Sequence, residues 1–86
     1  MPLTFDIITA KGVALHEEGL DRVVVRRREA QFDPGSEVGI CAHHGPLLMQ
    51  TQGCIARLTR GQRTSTLALD PGVLEVLDDR VTLVVT

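Results

Sequence analysis

The feature that most constrains the fold is an alternation of apolar and more polar residues with a period of two, repeated in short segments along the chain. Near the N-terminus Leu3, Phe5 and Ile7 alternate with more polar neighbours, and residues 54–59 behave in the same way. Successive side chains of a β-strand point to opposite faces of a sheet, so this period is typical of strands with one buried face. No segment carries a helical period of useful length. The sequence therefore predicts an all-β fold.

Turn residues divide these segments. Ala10-Lys11-Gly12, Gly53, Gly61 and Asp70-Pro71-Gly72 are turn signals, in the last of which proline presets φ and glycine is expected to supply a positive φ. A final hairpin is predicted across Asp78-Asp79. The predicted strands cover residues 3–9, 13–16, 20–28, 38–41, 47–51, 54–59, 63–69, 73–77 and 80–86. About eight to ten short strands at intervals of roughly 8–12 residues indicate a β-sandwich or barrel.

Length and composition limit the function classes. A chain of 86 residues buries too little surface for two cores, so we expect one domain over residues 1–86. Its aromatic content of 2% requires an aliphatic core, and its net charge of −2 gives no general basic footprint for nucleic acid. Two cysteines favour an intracellular protein over a disulfide-rich secreted one. Neither a signal peptide nor an apolar run of the roughly 20 residues needed for a membrane helix is expected.

A cluster of soft ligands lies in and near the irregular stretch of residues 35–48. Cys41, His43, His44 and Cys54 could in principle bind zinc, but zinc ligands usually come in closely spaced pairs, and Cys54 stands alone within a predicted strand. The alternative is two buried thiols and histidines satisfied in a turn. A cysteine nucleophile activated by histidine would need an orienting group that nothing nearby supplies. We therefore expect no metal, no cofactor and no catalytic residue.

The sequence contains one basic patch and no known catalytic motif. Arg22, Arg26, Arg27 and Arg28 could contact a nucleic-acid backbone, but single-strand binders also stack bases on aromatic side chains, which are scarce here. A solvated strand end is the simpler interpretation, and no nucleic-acid partner is expected. The chain contains neither a glycine-rich phosphate loop nor a nucleophile elbow.

Read as a whole, the chain resembles the N-terminal β-sandwich domain of the epsilon subunit of rotary ATP synthases. The resemblance rests on LTFDIITAKG at the start, LDRVVV at residues 20–25, EVGI followed by HGPLL within residues 37–48, and GVLEV with VTLVV near the end. It covers nearly all of the chain. Seven residues fall on positions of the family's central block: Glu37, Gly39, Ile40, His44, Pro46, Leu47 and Leu48.

The chain departs from the family in the same block. Val38 occupies the place of a phenylalanine, and Cys41-Ala42-His43 replaces leucine-proline-glycine. The turn before His44 is therefore expected to lack the family's Pro-Gly geometry, with Gly45 in place of alanine restoring some freedom. The loop after the third strand is also longer than usual.

The resemblance implies a flattened sandwich of about ten short strands that is not itself an enzyme. The family domain binds the gamma subunit and contacts the membrane c-ring, so it couples ion-driven rotation to ATP synthesis. By similarity the partner-contacting residues, at the ring-facing end, are Glu37, Val38, Gly39, Ile40, His44, Gly45, Pro46, Leu47 and Leu48.

Two further expectations follow from the same resemblance. The protein is expected to be peripheral to the cytoplasmic face of a bacterial plasma membrane, and the family's C-terminal helical hairpin is expected to have no counterpart. The alternative to a stalk domain is a diverged, free-standing β-sandwich that binds another protein.

Overall fold

The computed structural model describes residues 2–26 and 37–85, which form nine strands and no helix. The strands are β1 (Leu3–Thr9), β2 (Gly12–Leu20), β3 (Arg22–Arg26), β4 (Glu37–Cys41), β5 (Leu47–Thr51), β6 (Cys54–Arg60), β7 (Arg63–Leu69), β8 (Gly72–Leu77) and β9 (Arg80–Val85). The predicted all-β sandwich is confirmed. These two ranges provide no helix that could span a membrane.

The strands form two sheets. The five-stranded sheet has the order β2-β1-β9-β8-β5, and the four-stranded sheet has the order β4-β3-β6-β7. All described pairings are antiparallel except that between β1 and β9. The connections at Asp21, 42–46, 61–62 and 78–79 lie together at one end of the sandwich, which we call the loop end. The turns at 10–11, 52–53 and 70–71 lie at the opposite end.

The core lies between the sheets and is built from alternate residues of both. It is almost entirely aliphatic, as the composition requires, and Phe5 is its one described aromatic residue. The five-stranded sheet contributes Leu3, Phe5, Leu20, Leu74, Val76, Val81, Leu83 and Val85, and the four-stranded sheet contributes Val23, Val25, Ile40, Ala56, Leu58 and Leu69. Of these residues, Leu3, Phe5, Ala56 and Leu58 belong to segments in which the sequence showed alternation.

Two predicted strand limits were wrong by two or more residues. The second strand was expected to end at His16, but β2 continues to Leu20. It continues because Leu20 is buried in the core and because Arg60 of β6 donates hydrogen bonds to the Glu18 carbonyl and the Glu17 carboxylate. The third strand begins two residues later than predicted, at Arg22. Its predicted end at residues 27–28 lies outside the described residues.

Turn chemistry was predicted well at one hairpin and wrongly at another turn. Asp78 and Asp79, with φ of 51° and 61°, form the predicted two-residue connection between β8 and β9, in which both residues are left-handed. Gly72 does not adopt the expected positive φ. It begins β8, where a Cβ atom would collide with the carbonyl oxygen of Val84 on β9. Close approach of two strands, not a turn conformation, requires glycine there.

Candidate docking surface

The residues predicted to contact partners do not share one end of the molecule. β4 runs from the opposite end to the loop end, so Glu37 lies at one end and residues 42–46 at the other. Glu37 pairs with Arg26, whereas Cys41 pairs with Arg22 at the other end of β3. The prediction that residues 37–48 form one end of the domain is therefore wrong.

Burial separates the predicted residues into two groups. Ile40 is fully buried, and the half-buried Val38 and Leu47 pack against the core. Ile40 cannot contact a partner in the folded protein, so its place in the predicted contact set is corrected to a core role. Leu48 is 70% exposed, and Gly45 and Pro46 are also exposed.

Glu37 belongs to a salt bridge on the outer face of the four-stranded sheet. Arg57 of β6 donates two hydrogen bonds to its carboxylate, of 2.8 and 3.1 Å. Because β3 lies between β4 and β6, this pair crosses Val24, which is only 5% exposed although it points outward. The Arg57 hydrogen bonds lower the pKa of Glu37, with smaller contributions from the charges of Arg26 and Arg22. The sequence did not single out Arg57.

The predicted basic patch lies on this same face. The Arg22 guanidinium lies over Gly39, where a Cβ atom would come within 2.7 Å of it. Arg22 and Arg26 are both exposed at the two ends of β3, and Arg27 and Arg28 lie outside the described residues. This face is therefore polar and basic, with Glu37 as its described carboxylate near these arginines.

The loop of residues 42–46 is held by the β8–β9 turn. The backbone N–H of His43 donates a hydrogen bond of 2.6 Å to the Asp79 carboxylate, and the Asp79 carbonyl accepts one from Thr4. His43 has a φ of 64°, a conformation that favours glycine. Gly45 does not have a positive φ. The sequence was expected to lack the family's Pro-Gly geometry here, with Gly45 restoring some freedom, but the positive φ is at His43 and not at Gly45. His44 donates a ring N–H to the Gly45 carbonyl.

Similar bonds fix the rest of the loop end. The Asp21 carboxylate accepts a hydrogen bond of 2.5 Å from the N–H of Gly61, in the β6–β7 turn. Arg60 connects the four-stranded sheet to Glu17 and Glu18 of β2 in the other sheet. The loops at this end are thus tied both to each other and across the two sheets.

The outer face of the five-stranded sheet carries most of the exposed large hydrophobic residues of the described chain, and a polar row of Asp6, Thr82 and Glu75 crosses it. Six large hydrophobic residues of the described chain are exposed, and five of them lie on this face. They are Val13 (66% exposed), Leu48 (70%), Val73 (42%), Leu77 (48%) and Val84 (48%). Ile8 lies among them, since it pairs with Val13 on one side and with Val84 on the other. We call these six residues the apolar face. An exposed apolar patch of this kind marks an interaction surface.

The apolar face is continuous with the predicted loop. Two shallow depressions of about 310 Å³ each adjoin one another along β8 and share Glu75 and Leu77. One includes Pro46 and Leu48, and the other extends to Arg80. The loop and the start of β5 therefore form the border of a concave surface that has both apolar and charged walls.

The contribution of β8 and β9 to this surface was missed, although the sequence contains a signal for it. On the outer face of β8 Val73 and Leu77 flank Glu75, whereas Leu74 and Val76 are buried, so two of the three outward residues are apolar. An antiparallel sheet with one solvated face normally alternates apolar and polar residues. The apolar residues Val73 and Leu77 at outward positions of β8 are the signal for this surface in the sequence.

A charged cluster lies on the same outer face, on the two strands at its β2 side. His16 of β2 contacts the Asp6 carboxylate of β1 through Nδ1 and the Glu18 carboxylate, at 2.8 Å, through Nε2. Hydrogen bonds to Glu18 and then Asp6 raise the pKa of His16 above its ordinary value of 6.5. None of these three residues had been singled out as a site residue from the sequence.

The predicted soft-ligand cluster is dispersed. Cys41 ends β4 at the loop end, and Cys54 begins β6 at the opposite end. Cys41 is exposed, which contradicts the interpretation of two buried thiols, and Cys54 is half-buried. Within residues 2–26 and 37–85, no group of three histidine, cysteine, aspartate or glutamate residues could hold a metal ion.

The fold is similar to that of a chain in the cryo-EM structure of the Tetrahymena thermophila mitochondrial ATP synthase central stalk/c-ring. The two chains superpose with a TM-score of 0.70 over 98% of this chain, at 12% sequence identity. This chain spans 63% of the length of that chain. No protein-family model and no curated protein matches the sequence. The similarity establishes a shared fold.

Proposed function

We propose that this chain is the β-sandwich domain of an epsilon-type subunit in the central stalk of a rotary ATP synthase. It binds the gamma subunit and contacts the c-ring, and it has no catalytic role of its own. The observation that carries this proposal is the similarity of nearly the whole chain to a chain of an ATP synthase central stalk/c-ring structure. The EVGI and HGPLL segments, which resemble the epsilon family, support it independently of the fold.

The apolar face is the surface proposed to bind gamma. Its residues come from β1, β2, β5, β8 and β9, and its border includes Pro46 of the family-like block. The outer face of the other sheet is less suitable, because Ile55 is the one large hydrophobic residue of the described chain that is exposed there. Burying exposed aliphatic side chains against a partner is favourable, whereas burying the charged Arg57–Glu37 pair carries a desolvation cost.

Hydrogen bonds that connect the loops across both sheets stiffen the domain, as a domain that rotates with the central stalk requires. The loop end is held by the Asp79–His43, Asp21–Gly61 and Arg60–Glu18 hydrogen bonds. A closely packed interior transmits strain with little compression. In this proposal the domain is peripheral to a membrane through the complex, on the cytoplasmic face in a bacterium.

Binding to gamma is tested with matched surface variants. Leu48→Ser and Leu77→Ser remove exposed aliphatic side chains from the proposed surface, and Ile55→Ser removes one that is 60% exposed on the other sheet. We expect each of the first two to weaken binding to the gamma subunit of the same organism by roughly tenfold, and Ile55→Ser to have little effect. Tight binding to a different protein, with none to gamma, would favour the free-standing module instead.

Contact with the ring is tested by cross-linking from each end. Cys41 provides an exposed thiol at the loop end, and Lys11→Cys in a Cys41→Ser background provides one at the opposite end, with Cys54→Ser in both. In the assembled complex one of the two positions should cross-link to the c subunit. Absence of cross-links from both would contradict the proposed ring contact.

A further inference from the structure

The geometry around His16 requires a protonated ring. Both ring nitrogens face carboxylate oxygens, from Asp6 on β1 and from Glu18 two residues further along β2. An ionised carboxylate only accepts hydrogen bonds, and a neutral imidazole has one N–H. Only the imidazolium form donates to both carboxylates at once. The cluster then has a net charge of −1, and loss of the proton leaves it at −2.

The cluster lies next to the apolar face. Asp6 and Ile8 share the outer face of β1, and Asp6 is flanked by His16 on β2 and by Thr82 on β9. Its side chain is 15% exposed, compared with 49% for that of His16. A partner that covers Ile8 and Val13 therefore approaches the His16 ring.

The neighbouring charges do not replace the proton on His16. Thr82, the residue of β9 beside Asp6, is uncharged, and the next residue in that row is Glu75 of β8. Arg80 of β9 lies opposite Thr4, one row nearer the loop end. Arg60 of β6 contacts the Glu17 carboxylate and the Glu18 carbonyl, not the Glu18 carboxylate. The imidazolium is thus the cation that directly bonds these two carboxylates.

On the basis of the function proposed above, we propose that the Asp6–His16–Glu18 cluster makes binding of the gamma subunit to the apolar face tighter at low pH than at high pH. Covering the cluster removes water from it. An internally paired cluster costs less to desolvate than two carboxylates that have lost their shared cation. Binding therefore favours the protonated form, and proton uptake is linked to docking.

The first test does not depend on a partner. The histidine ring resonances of the free protein are titrated by NMR, with the three histidines assigned from single substitutions. We expect His16 to titrate above 6.5, and to return towards that value in Asp6→Asn. Titration of His16 at or below 6.5 in the unaltered protein would overturn the inference and leave the proposed function intact.

The second test measures affinity for the gamma subunit of the same organism between pH 6 and pH 9. We expect the affinity of the unaltered chain to fall by about 3- to 10-fold over this range, because linkage of one proton changes affinity by at most tenfold per pH unit. His16→Gln should remove that dependence. His43→Gln, which alters the histidine of the 42–46 loop that is not among the predicted contact residues, should retain it.

Three results would overturn the inference. The unaltered chain could bind equally well at both extremes of pH, His16→Gln could keep the full pH dependence, or His43→Gln could lose it. Each of these leaves gamma binding, and with it the proposed function, in place. Absence of binding at every pH would instead refute the proposed function together with the inference.

Discussion

The hydrogen bond between Asp79 and the 42–46 loop can be isolated by comparing two adjacent residues. Asp78 and Asp79 have similar left-handed φ values of 51° and 61°, so replacing either by glycine changes the backbone preference in nearly the same way. Only Asp79 accepts the 2.6 Å hydrogen bond from His43, and its side chain is 19% exposed. The difference in the free energy of unfolding between Asp79→Gly and Asp78→Gly therefore measures the contribution of this hydrogen bond.

The expected difference follows from the type of bond. A hydrogen bond to a charged acceptor contributes about 1.5–3 kcal/mol, and partial exposure places this one at about 1–2 kcal/mol. For a domain of this size, that difference corresponds to roughly 4–16 °C in Tm. Thermal and urea unfolding of both variants measure it. Equal stability of the two variants would refute the conclusion that Asp79 holds the loop.

Three further predictions concern stability. His43→Gly should raise the free energy of unfolding by about 0.5–1 kcal/mol, because glycine adopts a φ of 64° without a Cβ penalty; a less stable variant in urea unfolding would contradict this. Ile40→Ala should cost about 2–4 kcal/mol because Ile40 is fully buried, while Leu48→Ala, at 70% exposure, should change stability by less than about 0.5 kcal/mol. Similar losses of stability in both variants would contradict the burial of Ile40 and the exposure of Leu48. The folded-state pKa of His16 is raised above 6.5, so its contribution to stability is fully present below pH 6.5 and is lost as pH rises through that raised pKa. In unfolding experiments, the stability advantage of the unaltered protein over His16→Gln should therefore shrink between pH 6 and pH 9. An advantage that grows over this range would contradict a raised pKa for His16.

Much of the fold could be predicted because alternation and turn chemistry act locally. β1, β5 and β7 have the limits that the pattern predicted, and the Asp78-Asp79 hairpin follows from two residues that tolerate positive φ. The extent of β2 could not be predicted in this way, because Glu17 and Glu18 are polar. The strand continues through them because it pairs with β1, buries Leu20 and receives hydrogen bonds from Arg60 on a distant strand. Long-range side-chain contacts leave no periodic signal.

The candidate surface was predicted only in part, for a related reason. The family-like block pointed to Pro46 and Leu48, but which other residues share their face depends on the order of strands in the sheet. Val13 and Val84 are brought to the same face through the parallel pairing of β1 with β9. The Asp6–His16 contact also depends on strand register, and its residues are ten apart in the sequence.

The central claim is tested most directly by titrating the chain with the gamma subunit of the same organism in a calorimeter. We predict saturable binding of one chain per gamma subunit, weakened about tenfold by Leu48→Ser or Leu77→Ser and unchanged by Ile55→Ser. Absence of binding, or binding that all three variants leave equally strong, would contradict the account.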